Sequence, residues 1–243
     1  MLPSDLRQAE SQALEALRSA LATDATGRWT MELRFEGLKV LPLALRLAER
    51  MLEGNPEWRV VFPDAGATAL ARRDGGTLAP RITSLADHRR AQEAPEGGEA
   101  PDGTGAAGAA IASPLLLVSP SPSDYDVVEA ICGAQRGPVV LLNASLEDGA
   151  VGIGSVARAR RKGFLAQWQA AYALRPFAAS ALRRAHPGDW ELYRLDGDGF
   201  RLAARFASKP SVEEQEAALS GDGAGGLGSQ LRAWGDLIDN LQR

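Results

Sequence analysis

Two short runs, Leu115-Leu116-Leu117-Val118 and Pro138-Val139-Val140-Leu141-Leu142, carry no polar side chain at any position. A strand with one wet face alternates apolar and polar residues; a strand without a polar position is one that is covered on both faces. Sheets of that kind are parallel, with helices on either side supplying the crossovers. The chain offers such helices. Residues from Leu41 to Leu52 are apolar at helical spacing, between an alternating strand (Trp29, Met31, Leu33, Phe35) and an apolar one (Trp58, Val60, Val61, Phe62). A short helix, Ala65 to Arg72, follows, and Arg81 to Leu85 reads as an edge strand. Between the two apolar runs lies a helix that Ser123 would cap and that extends through Gln135. At the start, Leu6, Ala9, Ala13, Leu14, Leu17 and Leu21 form one stripe behind Ser4, the candidate N-cap.

From Ser155 to about Tyr172 the spacing of Phe164, Leu165, Trp168 and Ala171 predicts a long helix with one apolar face. Beyond Arg175-Pro176 the pattern changes to three strands, Ala181–Ala185, Trp190–Leu195 and Phe200–Phe206, joined by tight-turn residues. Ser211-Val212-Glu213-Glu214 is a capping box. The reading is a three-layer α/β fold, a parallel sheet with helices on both faces, extended by a C-terminal antiparallel meander. Residues 1–220 form a single α/β domain in this reading. Residues 91–112, almost free of large apolar side chains, are predicted to be a disordered insert within it. Residues 221–243 are read as a flexible linker and a terminal amphipathic helix.

Composition narrows the function classes. Of 243 residues 24% are charged, with a net charge of −4, which argues against a DNA-binding protein. The single cysteine, Cys132, allows no internal disulfide and follows Val127, Val128 and Ile131 as a small core residue. No apolar run reaches the ~20 residues a membrane helix needs, so any membrane contact is expected to be peripheral. The start lacks the basic and apolar regions of a signal peptide. His88 and His186 have no metal-ligand spacing to each other or to Cys132, so no metal and no cofactor is expected. No G-x-S-x-G elbow and no P-loop occurs, and no catalytic residue is assigned.

In parallel α/β sheets ligands gather at the carboxyl ends of the strands. Those ends carry Asp64, with Gly66 just beyond, then Ser119, then Asn143 with Gly152, Gly154 and Ser155 downstream. If the three strands are neighbours, these residues line one edge. The bland alternative is that Asp64 caps a helix and Asn143 makes a turn. Gly152-Ile153-Gly154-Ser155-Val156-Ala157 fits G-x-G-x-x-[GA], but about nine positions separate it from the strand, so it is rejected as a dinucleotide fingerprint. What remains is a possible anion seat near Gly154 and Ser155, with the basic cluster around Arg158 and Arg161. Arg158 is expected to be solvated. Arg161 falls on the apolar side and needs a negative partner, either a carboxylate such as Asp64 or Glu147 or a bound anion.

An ordered set of segments carries a family resemblance. They are Leu2-Pro3-Ser4, Val61-Phe62-Pro63-Asp64-Ala65-Gly66-Ala67, Val140-Leu141-Leu142-Asn143, Val151-Gly152-Ile153-Gly154 with Arg158, and Tyr172-Ala173-Leu174-Arg175-Pro176. Over roughly Leu2 to Lys209 the chain resembles a family of cyanobacterial and chloroplast proteins defined by a domain of unknown function. Plant relatives include low-photosystem-II-accumulation proteins, and some chloroplast adenylate kinases carry a similar domain at the C-terminus. The resemblance implies a soluble, cytoplasmic accessory protein of an oxygenic phototroph. It would assist photosystem biogenesis, with a photosystem subunit or assembly factor as partner, and associate at most peripherally with the thylakoid. The alternative is a binder or converter of a phosphorylated metabolite or nucleotide at the carboxyl edge.

Overall fold

The computed structural model describes residues 1–94, 111–146 and 162–220. In chain order its main elements are α1 (Leu6–Thr23), β1 (Arg28–Leu33), α2 (Val40–Gly54), β2 (Arg59–Phe62), α3 (Ala65–Asp74), β3 (Ile82–Ser84), α4 (Leu85–Glu93), β4 (Leu115–Val118), α5 (Tyr125–Ala134), β5 (Val139–Leu142), β6 (Gln169–Phe177), β7 (Ser180–Ala185), β8 (Trp190–Asp196), β9 (Gly199–Phe206) and α6 (Val212–Ser220). The strand order is β3-β2-β4-β5-β1-β6-β7-β8-β9, a mixed nine-stranded sheet. The chain divides into two compact units. One holds Leu21–Thr30 and Lys39–Gln169; the other holds Met1–Ala20, Met31–Leu38 and the chain from Ala170 onward.

In the first unit β2 pairs in parallel with both β3 and β4, and β4 with β5, in the register Leu115↔Val139 to Val118↔Leu142. β4 and β5 are buried at every position, as their uninterrupted apolar sequence requires. Alternate strand residues (Val61, Leu115, Leu117, Val139, Leu141) pack against Leu85, Tyr125, Val128, Ile131 and Cys132. In the second unit β6 to β9 form an antiparallel ladder. Its core is Ala173, Leu182, Trp190 and Leu192, against which Ala218 and Leu219 of α6 pack. The capping box at Ser211 is present: the Glu214 N–H donates to Ser211 Oγ (3.2 Å), and the Ser211 N–H to Glu214 Oε2 (2.7 Å).

Several expectations change. In its described part the helix expected from Ser155 to about Tyr172 does not form: Phe164–Gln167 is a single 3-10 turn, and the chain from Gln169 is strand β6; residues 155–161 lie outside the described ones. The reason is that Ala171, Tyr172, Ala173 and Leu174 are all buried in the sheet. A continuous apolar run has no period to separate strand from helix, and pairing with β7 decides it. The meander therefore has four strands. Asp5, not Ser4, caps α1, accepting from the Gln8 N–H at 2.8 Å. Ser121, not Ser123, opens the turn before α5, its N–H donating to Asp124 Oδ2 at 2.8 Å. Residues 91–93, read as the start of the insert, are helical, because α4 continues through Glu93; residues 95–110 lie outside the described ones.

One arginine closes the end of α5. Arg28 Nη2 donates to the carbonyls of Cys132 and Gln135 (2.9 Å each), and Nη1 to that of Gly137 (3.1 Å). The last carbonyls of a helix lack intrahelical partners and sit at the negative end of its dipole, so a guanidinium suits them. Gly137 is required where the chain then turns into β5, since a Cβ there would lie 2.4 Å from the Ala112 carbonyl oxygen. Arg28→Ala is expected to lower stability by ~2 kcal/mol, the scale of charged hydrogen bonds. Arg28→Lys should recover only part of it, because an ammonium has no fork. Urea denaturation of the three proteins measures both effects.

Candidate carboxyl-edge site

Strands β2, β4 and β5 are consecutive in the sheet and parallel, so Asp64, Ser119 and Asn143 follow three neighbouring strand ends. They differ in what they do there. Asp64 caps α3: its Oδ1 accepts from the Ala67 N–H (2.8 Å), and its carbonyl accepts from Thr68 Oγ1 (2.7 Å). Gly66 is exposed in the first turn of that helix, and a Cβ there would meet only Asp64 Oδ1 at 3.1 Å. For these two the structural role is the observed one.

Ser119 and Asn143 are the unusual pair. Both adopt left-handed backbone angles, with φ of 47° and 51°. They are the two such non-glycine residues among the described ones, and they end adjacent strands. That conformation costs a residue with a Cβ ~1–2 kcal/mol, less for asparagine, whose amide can bond locally. Ser119 also precedes Pro120, a setting that favours extended backbone. The conformation is held by the Ser119 N–H donating to the Leu142 carbonyl (2.7 Å) and the Ser145 N–H to that of Pro120 (2.9 Å). Ser119 Oγ is buried and has no hydrogen-bond partner among the described residues. Backbone strain of this kind clusters at ligand sites.

An aromatic series begins beside this edge. Tyr125, the first residue of α5, meets Phe164 edge-on at 5.7 Å between centroids, and Phe164 meets Trp168 in the same way at 5.5 Å. Phe164 is a core residue, as its apolar character implied; Trp168 is half-buried, packs on that core, and keeps a buried Nε1–H without a partner among the described residues. Gly152, Gly154, Ser155, Arg158 and Arg161 lie outside the described residues, so the structure brings together Asp64, Ser119 and Asn143 and leaves the basic cluster unplaced. The sequence places Ser119 at this edge but does not foretell its left-handed backbone.

Elsewhere, perturbed groups have structural explanations. In the second unit Glu191 accepts from Arg183 Nη1 and the Tyr193 hydroxyl, 2.8 Å each. Burial raises its pKa, but these bonds outweigh that and hold it below the usual carboxylate range. Tyr193 is pushed up to about 12 by burial and by Glu191. Burial lifts Cys132 to about 12, which leaves it an inert core thiol. Among the described residues no helix is long and apolar enough to cross a membrane, and no cluster of three metal-ligating side chains occurs.

A family model described as "Domain of unknown function (DUF1995)" matches residues 3–217. The chain belongs to the DUF1995 family. The DUF1995 match runs through both compact units and every described strand, and it contains Asp64, Ser119 and Asn143. No curated protein matches the chain.

Proposed function

We propose that this DUF1995 chain is a soluble accessory protein of an oxygenic phototroph. It assists photosystem biogenesis by binding a photosystem subunit or assembly factor, at most peripherally at the thylakoid. The observation that supports the reading is the family match over residues 3–217; the step to photosystem biogenesis rests on the family resemblance described above, whose plant relatives include low-photosystem-II-accumulation proteins. Affinity purification of the tagged chain from its native host tests it. Photosystem subunits or their assembly factors should dominate the specific proteins in the eluate; an eluate without them contradicts the reading.

A second reading is favoured by the paired left-handed residues Ser119 and Asn143: the carboxyl edge takes a phosphorylated metabolite or nucleotide. The fold class supports it by analogy. Thermal denaturation with added phosphate, sulfate or ATP decides. A ligand that binds only the folded chain stabilises it by ~2.7 kcal/mol at a hundred times its Kd. The reading expects such a rise in the wild type and a smaller one in Ser119→Ala. A melting temperature unmoved by all three anions removes it.

A further inference from the structure

The interior between α4 and α5 holds a short polar chain. Gln135 Nε2 donates to the Ser113 carbonyl, which fixes Gln135 Oε1 as an acceptor. Gln92 Nε2 donates to that Oε1 at 2.9 Å and approaches the Ile131 carbonyl at 3.4 Å. With the Gln92 amide so oriented, its Oε1 is the end left without a donor. One turn earlier on α4, His88 has an Nε2 that is also buried without a partner. His88 is 1% exposed and Gln92 8%. Residues four apart on a helix lie on one face as neighbours. Each orphaned polar atom would cost ~1–3 kcal/mol, which native interiors seldom tolerate.

We propose that His88 Nε2 and Gln92 Oε1 together bind one buried water molecule. The chemistry of the pair selects the ligand. Gln92 Oε1 accepts only, so the ligand must donate a hydrogen. A neutral imidazole nitrogen either accepts or donates, and water satisfies both cases while donating to Oε1. A bare anion has no hydrogen to offer Oε1. A cation is disfavoured by the positive charge of Arg59, which acts on His88. A single water is the smallest neutral donor that can meet both atoms, and buried waters commonly make about two to four such bonds. The bound water completes a continuous chain, His88–water–Gln92–Gln135–Ser113, that ties α4 to α5 and to the residue pair entering β4.

Water-selective NOE spectroscopy on the isotope-labelled full-length protein tests the site. The carbon-bound ring hydrogens of His88 and the Hγ hydrogens of Gln92 should both show cross-peaks to a long-lived water. In Gln92→Met the His88 peaks should fall to noise. In His88→Phe the Gln92 peaks should do the same, so that either variant suffices if the other does not fold. Absence of cross-peaks in the wild type overturns the inference. So does their persistence in either folded variant.

Discussion

Replacing Trp29 by alanine should cost the fold ~3–5 kcal/mol, the range for deleting a buried aromatic. Trp29 is 1% exposed and is among the largest fully buried side chains. Its surroundings are shaped to it: the indole N–H reaches the Asp24 carbonyl at 3.4 Å, and Gly27 leaves the space that a Cβ would take at 2.5 Å from Nε1. The cavity cannot collapse readily, because the chain beside Trp29 is tied down: the Val139 N–H donates to the Gly27 carbonyl at 3.2 Å. For a chain of this size the melting temperature should fall by roughly 10 °C. A loss under ~1 kcal/mol in urea titration would be a surface-site value and would contradict this account of the core.

The second large effect is acid destabilisation through His88. Burial, and then the nearby charge of Arg59, lower its pKa from 6.5 to about 4 in the folded chain. The unfolded chain therefore binds the proton more readily than the folded one between those values. Stability is intact above pH 6.5, falls as the pH drops from there toward 4, and loses ~3 kcal/mol in all by 1.36 kcal/mol per pKa unit. Carboxylates titrate in part of the same range, so the wild type must be compared with His88→Gln. Urea midpoints at pH 7 and pH 4.5 should show a larger acid loss in the wild type than in the variant. Equal losses would mean that His88 takes up its proton in the folded chain without penalty.

The parts of the fold that were legible in sequence are those where one physical signal acted alone. Leu115–Val118 and Val139–Leu142 are apolar throughout, and only a doubly covered parallel strand accepts that. Ser211 and Glu214 at the right spacing cap each other as read. Illegibility arose where two signals shared a segment. Ala171–Leu174 satisfied helix and central strand equally, and long-range pairing with Arg183–Ala185 settled it. α4 escaped notice because His88 and Gln92 are polar residues turned inward, which hides the apolar stripe. At the edge, Asp64 does what aspartates before helices do. What marks Ser119 and Asn143 is a backbone angle, and no side-chain pattern announces a serine held at positive φ before a proline.

The reading of this DUF1995 chain as a photosystem-biogenesis accessory is tested most directly by removing it from its native host. Newly synthesised photosystem subunits can be pulse-labelled and followed into complexes on native gels. The account predicts unchanged synthesis of the subunits but slower entry into assembled photosystem II, restored by the intact chain. Assembly at the wild-type rate in the deletion strain, with the subunits equally stable, would contradict it.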